Sequence, residues 1–341
     1  MSGPAGDERL VVVQAMAEHL PGRLFPRDVR ARLEAHCALE PGSPLREFHS
    51  ARARAALARA DVLLTGWGCP RVDAGVLARA PRLRAVVHAA GTVKEHLDRA
   101  VFERGIAVGS AAWANAIPVA EYTLAMILLA NKGVPTAVRE YRERRADLDL
   151  ARRYAVIGNY RRRVGLVGAS QIGRRVLELL RPFDLEVLLT DPFVTVDEAA
   201  ALGTRLVGLP ELFATSDLVS LHVPSVEATR GMVDARLLAS MPDGATLLNT
   251  ARGALVDQDA LTAQLRTGRI RAVLDVTEPE VTDAASPLWD LPNVVLTPHI
   301  AGSLGGELAR LGAAAVAEVL RVAAGLPLAH PVDYEALSVS A

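Results

Sequence analysis

Val164-Gly165-Leu166-Val167-Gly168-Ala169-Ser170-Gln171-Ile172-Gly173 enters a glycine turn from an apolar run and leaves it as the start of a helix. Strand, tight turn and helix start are the context in which G-x-G-x-x-G marks a dinucleotide-binding unit. Gly168 permits the tight turn, and Gly173 permits close packing of helix on strand. The helix N-terminus then offers unpaired N–H groups and a positive dipole end to a pyrophosphate. The acid expected about 20 residues further on is Asp191, at the end of the apolar run EVLLTD. A carboxylate there accepts hydrogen bonds from an adenosine ribose and repels a 2′-phosphate, which selects NAD over NADP. Ser170 stands where the pattern has its middle glycine, the residue that lets backbone approach the phosphates. Its Cβ is expected to weaken dinucleotide binding without abolishing it.

Outward from this turn, strand and helix signals alternate. RVGLVG (163–168), EVLLTD (186–191), DLVSLHV (217–223), ATLLNT (245–250), RAVLDV (271–276) and VVLTPH (294–299) are continuous apolar runs. Such runs fit parallel strands covered on both faces. DVLLTG (61–66), RAVVHAAG (84–91) and GIAVGS (105–110) repeat the pattern earlier in the chain. The fold class is therefore α/β with two doubly wound parallel sheets. A Rossmann NAD-binding domain over residues 113–300 is inserted in a discontinuous flavodoxin-like substrate domain of residues 1–112 and 301–341. The last helix, about 304–324, returns to the first region. ANAIPVAEYTLAMILLANKG (114–133) is apolar nearly all round, which predicts a buried helix with Glu121 near its start, complementing the helix dipole. Residues 134–163 are polar and arginine-rich, which fits a lid, a linker or an arm to a partner subunit, the arm being the favoured reading.

The bulk properties exclude several classes. Of 341 residues, 50% are hydrophobic and 23% charged, enough to bury a substantial core. A formal net charge of -1 argues against a nucleic-acid partner, which calls for a basic surplus. Cys37 and Cys69 are too few for a disulfide scaffold and lack metal-ligand spacing, so no metal is expected. MSGPAGDERL lacks the basic-then-apolar pattern of a signal peptide, and no uncharged apolar run of membrane-spanning length is read. These readings give a cytoplasmic protein with no membrane partner.

The chemistry lies at the carboxyl ends of the later strands, the edge where a parallel sheet delivers its ligand contacts. NTARGALVD (249–257) carries Arg252, LDVTEPE (274–280) carries Asp275, Glu278 and Glu280, and LTPHIAGS (296–303) carries His299. A guanidinium, carboxylates and an imidazole thus follow successive strands, on the same edge as the glycine turn. Each alone fits a plainer role: a structural ion pair, a solvated loop acid, a satisfied histidine. Among the other histidines, His88 and His222 stand out because they fall at strand ends.

With these motifs in order, together with LHVPSVEATRG (221–231), the chain resembles the D-isomer-specific 2-hydroxyacid dehydrogenase family from about residue 81 to 331. The family includes phosphoglycerate dehydrogenase and glyoxylate/hydroxypyruvate reductase. The resemblance implies an NAD-dependent 2-hydroxyacid dehydrogenase that passes hydride between NAD(H) and a small 2-oxo or 2-hydroxy acid, acting as a homodimer. It matches Arg252 to the catalytic arginine, His299 to the acid/base histidine and Glu280 to its glutamate partner. A carboxylate against imidazole favours the charged form. Spacing leaves Glu278 as a competitor for that partnership. The resemblance matches Asp275 to the residue that holds the nicotinamide amide. It puts further cofactor contacts at Gln171, Ile172, His222, Pro224, Thr229, Thr250, Ala251 and Gly302, and the substrate carboxylate on Ala90, Gly91 and Thr92.

The chain also departs from the family. The loop AAGTVKEH lacks the usual acidic or aromatic residue after its glycine, having Thr92 and Val93. Relatives that take phosphorylated substrates use an arginine near TGWGCP (65–70), where this chain offers Trp67. That implies a substrate without phosphate. Two alternatives stand: a non-catalytic NAD-sensing or corepressor-like binding protein on the same fold, and a dehydrogenase of a phosphonate or sugar acid.

Overall fold

The computed structural model describes residues 9–153 and 157–337. Residues 1–8, which were read for a leader, residues 154–156 of the expected arm and the terminal residues 338–341 lie outside the described residues. The chain divides into two compact units, one comprising Met1–Asn115 and Ser303–Ser338, the other Ala116–Gly302.

Unit 1 holds a five-stranded sheet built from β1 (Val11–Ala15), β2 (Ala38–Leu39), β3 (Val62–Thr65), β4 (Ala85–His88) and β5 (Ala107–Ser110). Its order β2-β1-β3-β4-β5 is that of a flavodoxin-like sheet, and every pairing is parallel. Every residue of β3 and β4 is buried, as continuous apolar runs require. The helix Leu308–Ala323 returns to this unit, packing Leu311, Ala315, Val316 and Val319 on the core of β1, β3 and β4. Buried Glu318 on that helix accepts from the amides of Ala329 and His330, and Val332 N–H then donates to Val108.

Unit 2 holds a seven-stranded parallel sheet. Its strands are β6 (Arg163–Val167), β7 (Glu186–Thr190), β8 (Arg205–Leu206), β9 (Leu218–Leu221), β10 (Thr246–Asn249), β11 (Arg271–Leu274) and β12 (Val294–Leu296). The order β12-β11-β10-β9-β6-β7-β8 is the doubly wound Rossmann order carrying one further strand, with its switch point between β6 and β9. The helix Gln171–Leu180 follows β6, and its buried Gly173, Val176, Leu177 and Leu180 recur at helical spacing on one face.

Two expectations for the segment between the sheets are corrected. The helix runs Ala112–Asn131, so Glu121 lies at its middle, exposed, and not in its first turn. Nor is the helix buried all round. Ala120, Thr123 and Ile127 are buried, whereas Ala125 and Leu129 are exposed. Composition alone cannot separate an interior helix from one whose apolar residues also reach the surface. By length and composition it could cross a bilayer, but its buried side belongs to the core of unit 2. Within residues 134–163, Val134–Arg144 and Leu150–Arg153 are helical.

Candidate active site

Gly168 has φ +99°, and a Cβ there would lie 2.7 Å from Val223 Cγ1 and 3.0 Å from the His222 backbone. A Cβ on Gly173 would lie 2.2 Å from the Gly168 carbonyl oxygen. Both glycines are therefore demanded by the turn itself. Ser170 has a structural role in the helix that it begins. Its φ of -60° suits any L-residue, and it is the N-cap of the helix, its hydroxyl accepting from Gly173 N–H at 3.4 Å. A helix leaves its first-turn amides without intrahelical acceptors, so those of Gln171 and Ile172 remain for an anion. Asp191, at the end of β7, accepts from Ala169 N–H at 2.7 Å and from Phe193 N–H at 2.8 Å. The first bond ties the glycine turn to the next strand, and each oxygen keeps an acceptor position for a ribose hydroxyl. This turn, amide pair and acid fit NAD.

Other expected cofactor residues divide by accessibility. His222 is buried, with Nε2 2.9 Å from Ser220 Oγ, and burial lowers its pKa to about 3. The side chain thus packs beneath the turn as a neutral imidazole. Thr229 Oγ1 donates to the Pro224 carbonyl at 2.6 Å and accepts from Val226 N–H, fixing the loop after β9. Thr250 is buried, its hydroxyl 3.2 Å from that of Thr123. Gly302 is half-buried at the end of the loop after β12.

After β10 the chain presents Arg252. Asn249 brackets this turn, accepting from Ala251 N–H at 3.0 Å and donating to the Arg252 carbonyl at 2.8 Å. Gly253 follows at a position where a Cβ would lie 2.1 Å from the Thr277 carbonyl carbon. Only glycine lets the Arg252 turn pack on the 277–278 backbone. The guanidinium itself is exposed. Neither Asn249 nor Gly253 was singled out from sequence, although the Gly in NTARG was visible there.

The loop after β11 carries both candidate glutamates, and the structure separates them. Glu280 Oε1 is hydrogen-bonded to His299 Nδ1, whereas Glu278 faces Arg230 at 3.7 Å. Gln258 steadies this loop by accepting from Glu278 N–H at 3.1 Å. His299 stands in the left-handed region at φ +53°, a conformation that costs a non-glycine residue on the order of 1 kcal/mol. Asp275 holds it there. The Asp275 carbonyl accepts from His299 N–H at 3.0 Å, and its carboxylate accepts from Ile300 N–H at 2.8 Å and Ala301 N–H at 2.9 Å. Thr297 Oγ1 donates to the same carboxylate at 2.6 Å. With its side chain buried, Asp275 is first an organiser of the His299 loop, and one acceptor position remains on Oδ2.

In unit 1, Ala90 is buried, Gly91 and Thr92 are half-buried, and Thr92 Oγ1 accepts from Lys94 N–H at 3.3 Å. Trp67 is 38% exposed in the loop after β3. His88, at the end of β4, is buried with Nδ1 2.8 Å from Thr65 Oγ1. Among the described residues no group of three or more His, Cys, Asp or Glu could hold a metal ion.

Residues 124–301 match the family described as D-isomer specific 2-hydroxyacid dehydrogenase, NAD binding domain. The chain is 32% identical over 272 residues to the D-3-phosphoglycerate dehydrogenase of Archaeoglobus fulgidus, covering 79% of this chain and 51% of that one. It thus spans about half the length of such curated relatives. It is 38% identical over 239 residues to the (S)-sulfolactate dehydrogenase of Chromohalobacter salexigens, covering 68% of this chain and 75% of that one. The crystal structure of the TT0316 protein from Thermus thermophilus superposes with a TM-score of 0.75 at 30% identity, covering 95% of this chain and 100% of that one. The order of strand-end motifs, the NAD-fitting turn and these likenesses agree: the chain belongs to the D-isomer specific 2-hydroxyacid dehydrogenase family and carries its NAD-binding domain.

Proposed function

We propose that the protein reduces a small, non-phosphorylated 2-oxo acid to the 2-hydroxy acid, and oxidises it in reverse, with NAD(H). The observation that carries this reading is the His299–Glu280 pair, with the Arg252 turn packed through Gly253 on the 277–278 backbone of the loop that carries Glu280. Bound NADH supplies the hydride that reaches the carbonyl carbon. His299 donates a proton from its ring to the carbonyl oxygen, so that C=O becomes CH–OH, and recovers it in the reverse direction. Glu280 orients the ring for the transfer through its hydrogen bond to Nδ1. Arg252 binds the substrate carboxylate through its paired N–H groups and polarises the carbonyl. The cofactor is held by Gly168, Ser170, Gln171, Ile172, Gly173 and Asp191, with Pro224, Thr229, Thr250, Ala251 and Gly302 along the same edge. The acceptor position left on Asp275 suits the nicotinamide amide. Backbone N–H groups of Ala90, Gly91 and Thr92 suit the acid's carboxylate.

Two features support a substrate without phosphate. Trp67 is a partly exposed aromatic surface in the loop after β3, and the next cation, Arg71, is paired with Asp98 at 3.1 Å. The assembly in this reading is a cytoplasmic homodimer. Leu129, Val138, Tyr141, Leu150 and Tyr160 are exposed apolar residues within and beyond the Ala112–Asn131 helix, of the kind a second copy would cover. Cys37 and Cys69 are buried free thiols, as a reducing compartment allows, and burial raises the Cys69 pKa to about 12.

The test is NADH oxidation with glyoxylate, pyruvate, hydroxypyruvate, a branched 2-oxo acid, phenylpyruvate and 3-phosphohydroxypyruvate, with NADPH in parallel. Turnover of an unphosphorylated acid, weaker with NADPH, is expected. Preference for 3-phosphohydroxypyruvate overturns the substrate reading. NADH binding without turnover of any acid favours the sensor.

A further inference from the structure

We infer that Tyr122 is a positioning residue for His299, acting through a hydroxyl relay that ends on Asp275. Tyr122 lies on the Ala112–Asn131 helix, with its hydroxyl 2.8 Å from Thr297 Oγ1. Thr297 Oγ1 in turn lies 2.6 Å from Asp275 Oδ1. The direction of the relay follows from proton inventory. Both carboxylate oxygens of Asp275 already receive backbone N–H groups, from Ile300 and Ala301, so Asp275 acts as the acceptor. The single hydroxyl proton of Thr297 is thereby committed to Asp275, and its oxygen accepts the proton of Tyr122. Burial, the largest cause, pushes the phenol's pKa up, which keeps it a donor.

The relay matters because of what it encloses. Thr297, Ile300 and Ala301 surround His299, whose left-handed backbone is held by Asp275 from both sides of the loop. Tyr122 is the side chain that fixes Thr297 from outside the loop. The next residue, Thr123, places its hydroxyl 3.2 Å from that of Thr250, two residues before Arg252. One helix therefore touches both loops that carry the proposed catalytic groups, through consecutive side chains.

The test compares wild type, Tyr122→Phe, His299→Ala and the double variant, and only its kinetic arm rests on the proposed function. The His299 ring signals in NMR, assigned by their loss in His299→Ala, are expected to move in Tyr122→Phe while those of buried His88 stay. With a turned-over acid, kcat is expected to fall about tenfold, the scale of one lost hydrogen bond, with NADH affinity and KM within about twofold of wild type. In the His299→Ala background the same substitution is expected to cost less than about twofold, because two residues acting through one group are not additive. Unmoved His299 signals, or NADH affinity falling in step with kcat, overturn the inference. If wild type turns over no acid, the proposed function fails, and the NMR arm still decides the positioning role.

Discussion

At the carboxyl ends of its strands the sheet of unit 1 carries Thr65, His88 and Ser110, a row in register, and all three are buried. The corresponding edge of unit 2 carries Asp191, Arg252, Asp275 and His299, with Arg252 and His299 exposed. Both sheets are parallel and fully wound, so the backbone scheme does not make the difference. The surroundings of the histidines do. His88 meets a threonine hydroxyl, with the His96 ring centroid 5.0 Å away, and its pKa falls to about 3, first through burial and then through His96. His299 is half-exposed and meets a carboxylate. An imidazole that must exchange a proton needs access and an acid beside it, whereas one that closes a core needs only a neutral partner.

The sharpest way to break this comparison is to truncate each histidine. His299→Ala is expected to lower kcat by about 10²- to 10⁴-fold, the usual contribution of a positioned acid/base, while NADH binding and Tm stay near wild type. His88→Ala and His222→Ala are expected to do the reverse. Each opens a cavity and strands a buried hydroxyl, at a cost of about 2–4 kcal/mol in denaturant unfolding. Catalytic loss in the buried variants with stability intact would dissolve the distinction between the edges.

A smaller effect separates the two glutamates. Glu280→Gln keeps a hydrogen bond to His299 but removes the charge, and is expected to lower kcat about tenfold to a hundredfold. Glu278→Gln, which loses only a 3.7 Å contact with an exposed Arg230, is expected to leave kcat within about twofold. Steady-state kinetics of the pair decide it, and equal losses would return the partnership to the ambiguity that spacing leaves.

The same comparison marks how far the sequence could be read. Parallel strands such as VLLT in β3 and TLLN in β10 are legible because burial on both faces demands unbroken apolar runs. The two-residue strands β2 and β8 are too short to show any period, and in β1 Gln14 interrupts an apolar run of three valines. Arg252, Glu280 and His299 stand out as candidates because their motifs follow strands in order, and their roles rest on the resemblance to the family. Whether Glu278 or Glu280 faces the imidazole depends on the fold of a loop, which spacing does not encode. Tyr122 was invisible for a different reason: in an apolar helix a tyrosine reads as packing, and its partner lies 175 positions away.

A still smaller set of effects comes from titration, and here the two units are expected to agree. His88 and His222 each have a folded pKa near 3 against an unperturbed value of 6.5. Between those values the unfolded chain binds the proton and the folded chain does not, so stability rises with pH. The stabilisation is complete above pH 6.5, declines as pH falls and is fully lost below about 3. At pH 5 each histidine is expected to have cost about 2 kcal/mol relative to neutral pH. Urea unfolding at pH 7 and pH 5 measures this, with His88→Gln flattening the dependence in unit 1 and His222→Gln in unit 2. A profile that neither variant changes would mean that the rings are reached by solvent.

The smallest effect concerns Ser170, and it reverses what the glycine pattern implies. A serine at φ -60° carries no left-handed cost, and its hydroxyl serves a helix amide. Ser170→Ala removes the cap and is expected to cost about 1 kcal/mol, while Ser170→Gly, a tolerated N-cap, costs a few tenths. If the Cβ obstructed the pyrophosphate, glycine would tighten NADH binding severalfold. With the Cβ in an ordinary conformation and the Gln171 and Ile172 amides still presented, NADH affinity in Ser170→Gly is expected to stay within about twofold of wild type. Fluorescence titration of NADH against the three proteins measures it. Tighter binding in the glycine variant would restore the reading of serine as an obstacle, whereas equal binding with the Ala variant least stable assigns the residue to the helix it begins.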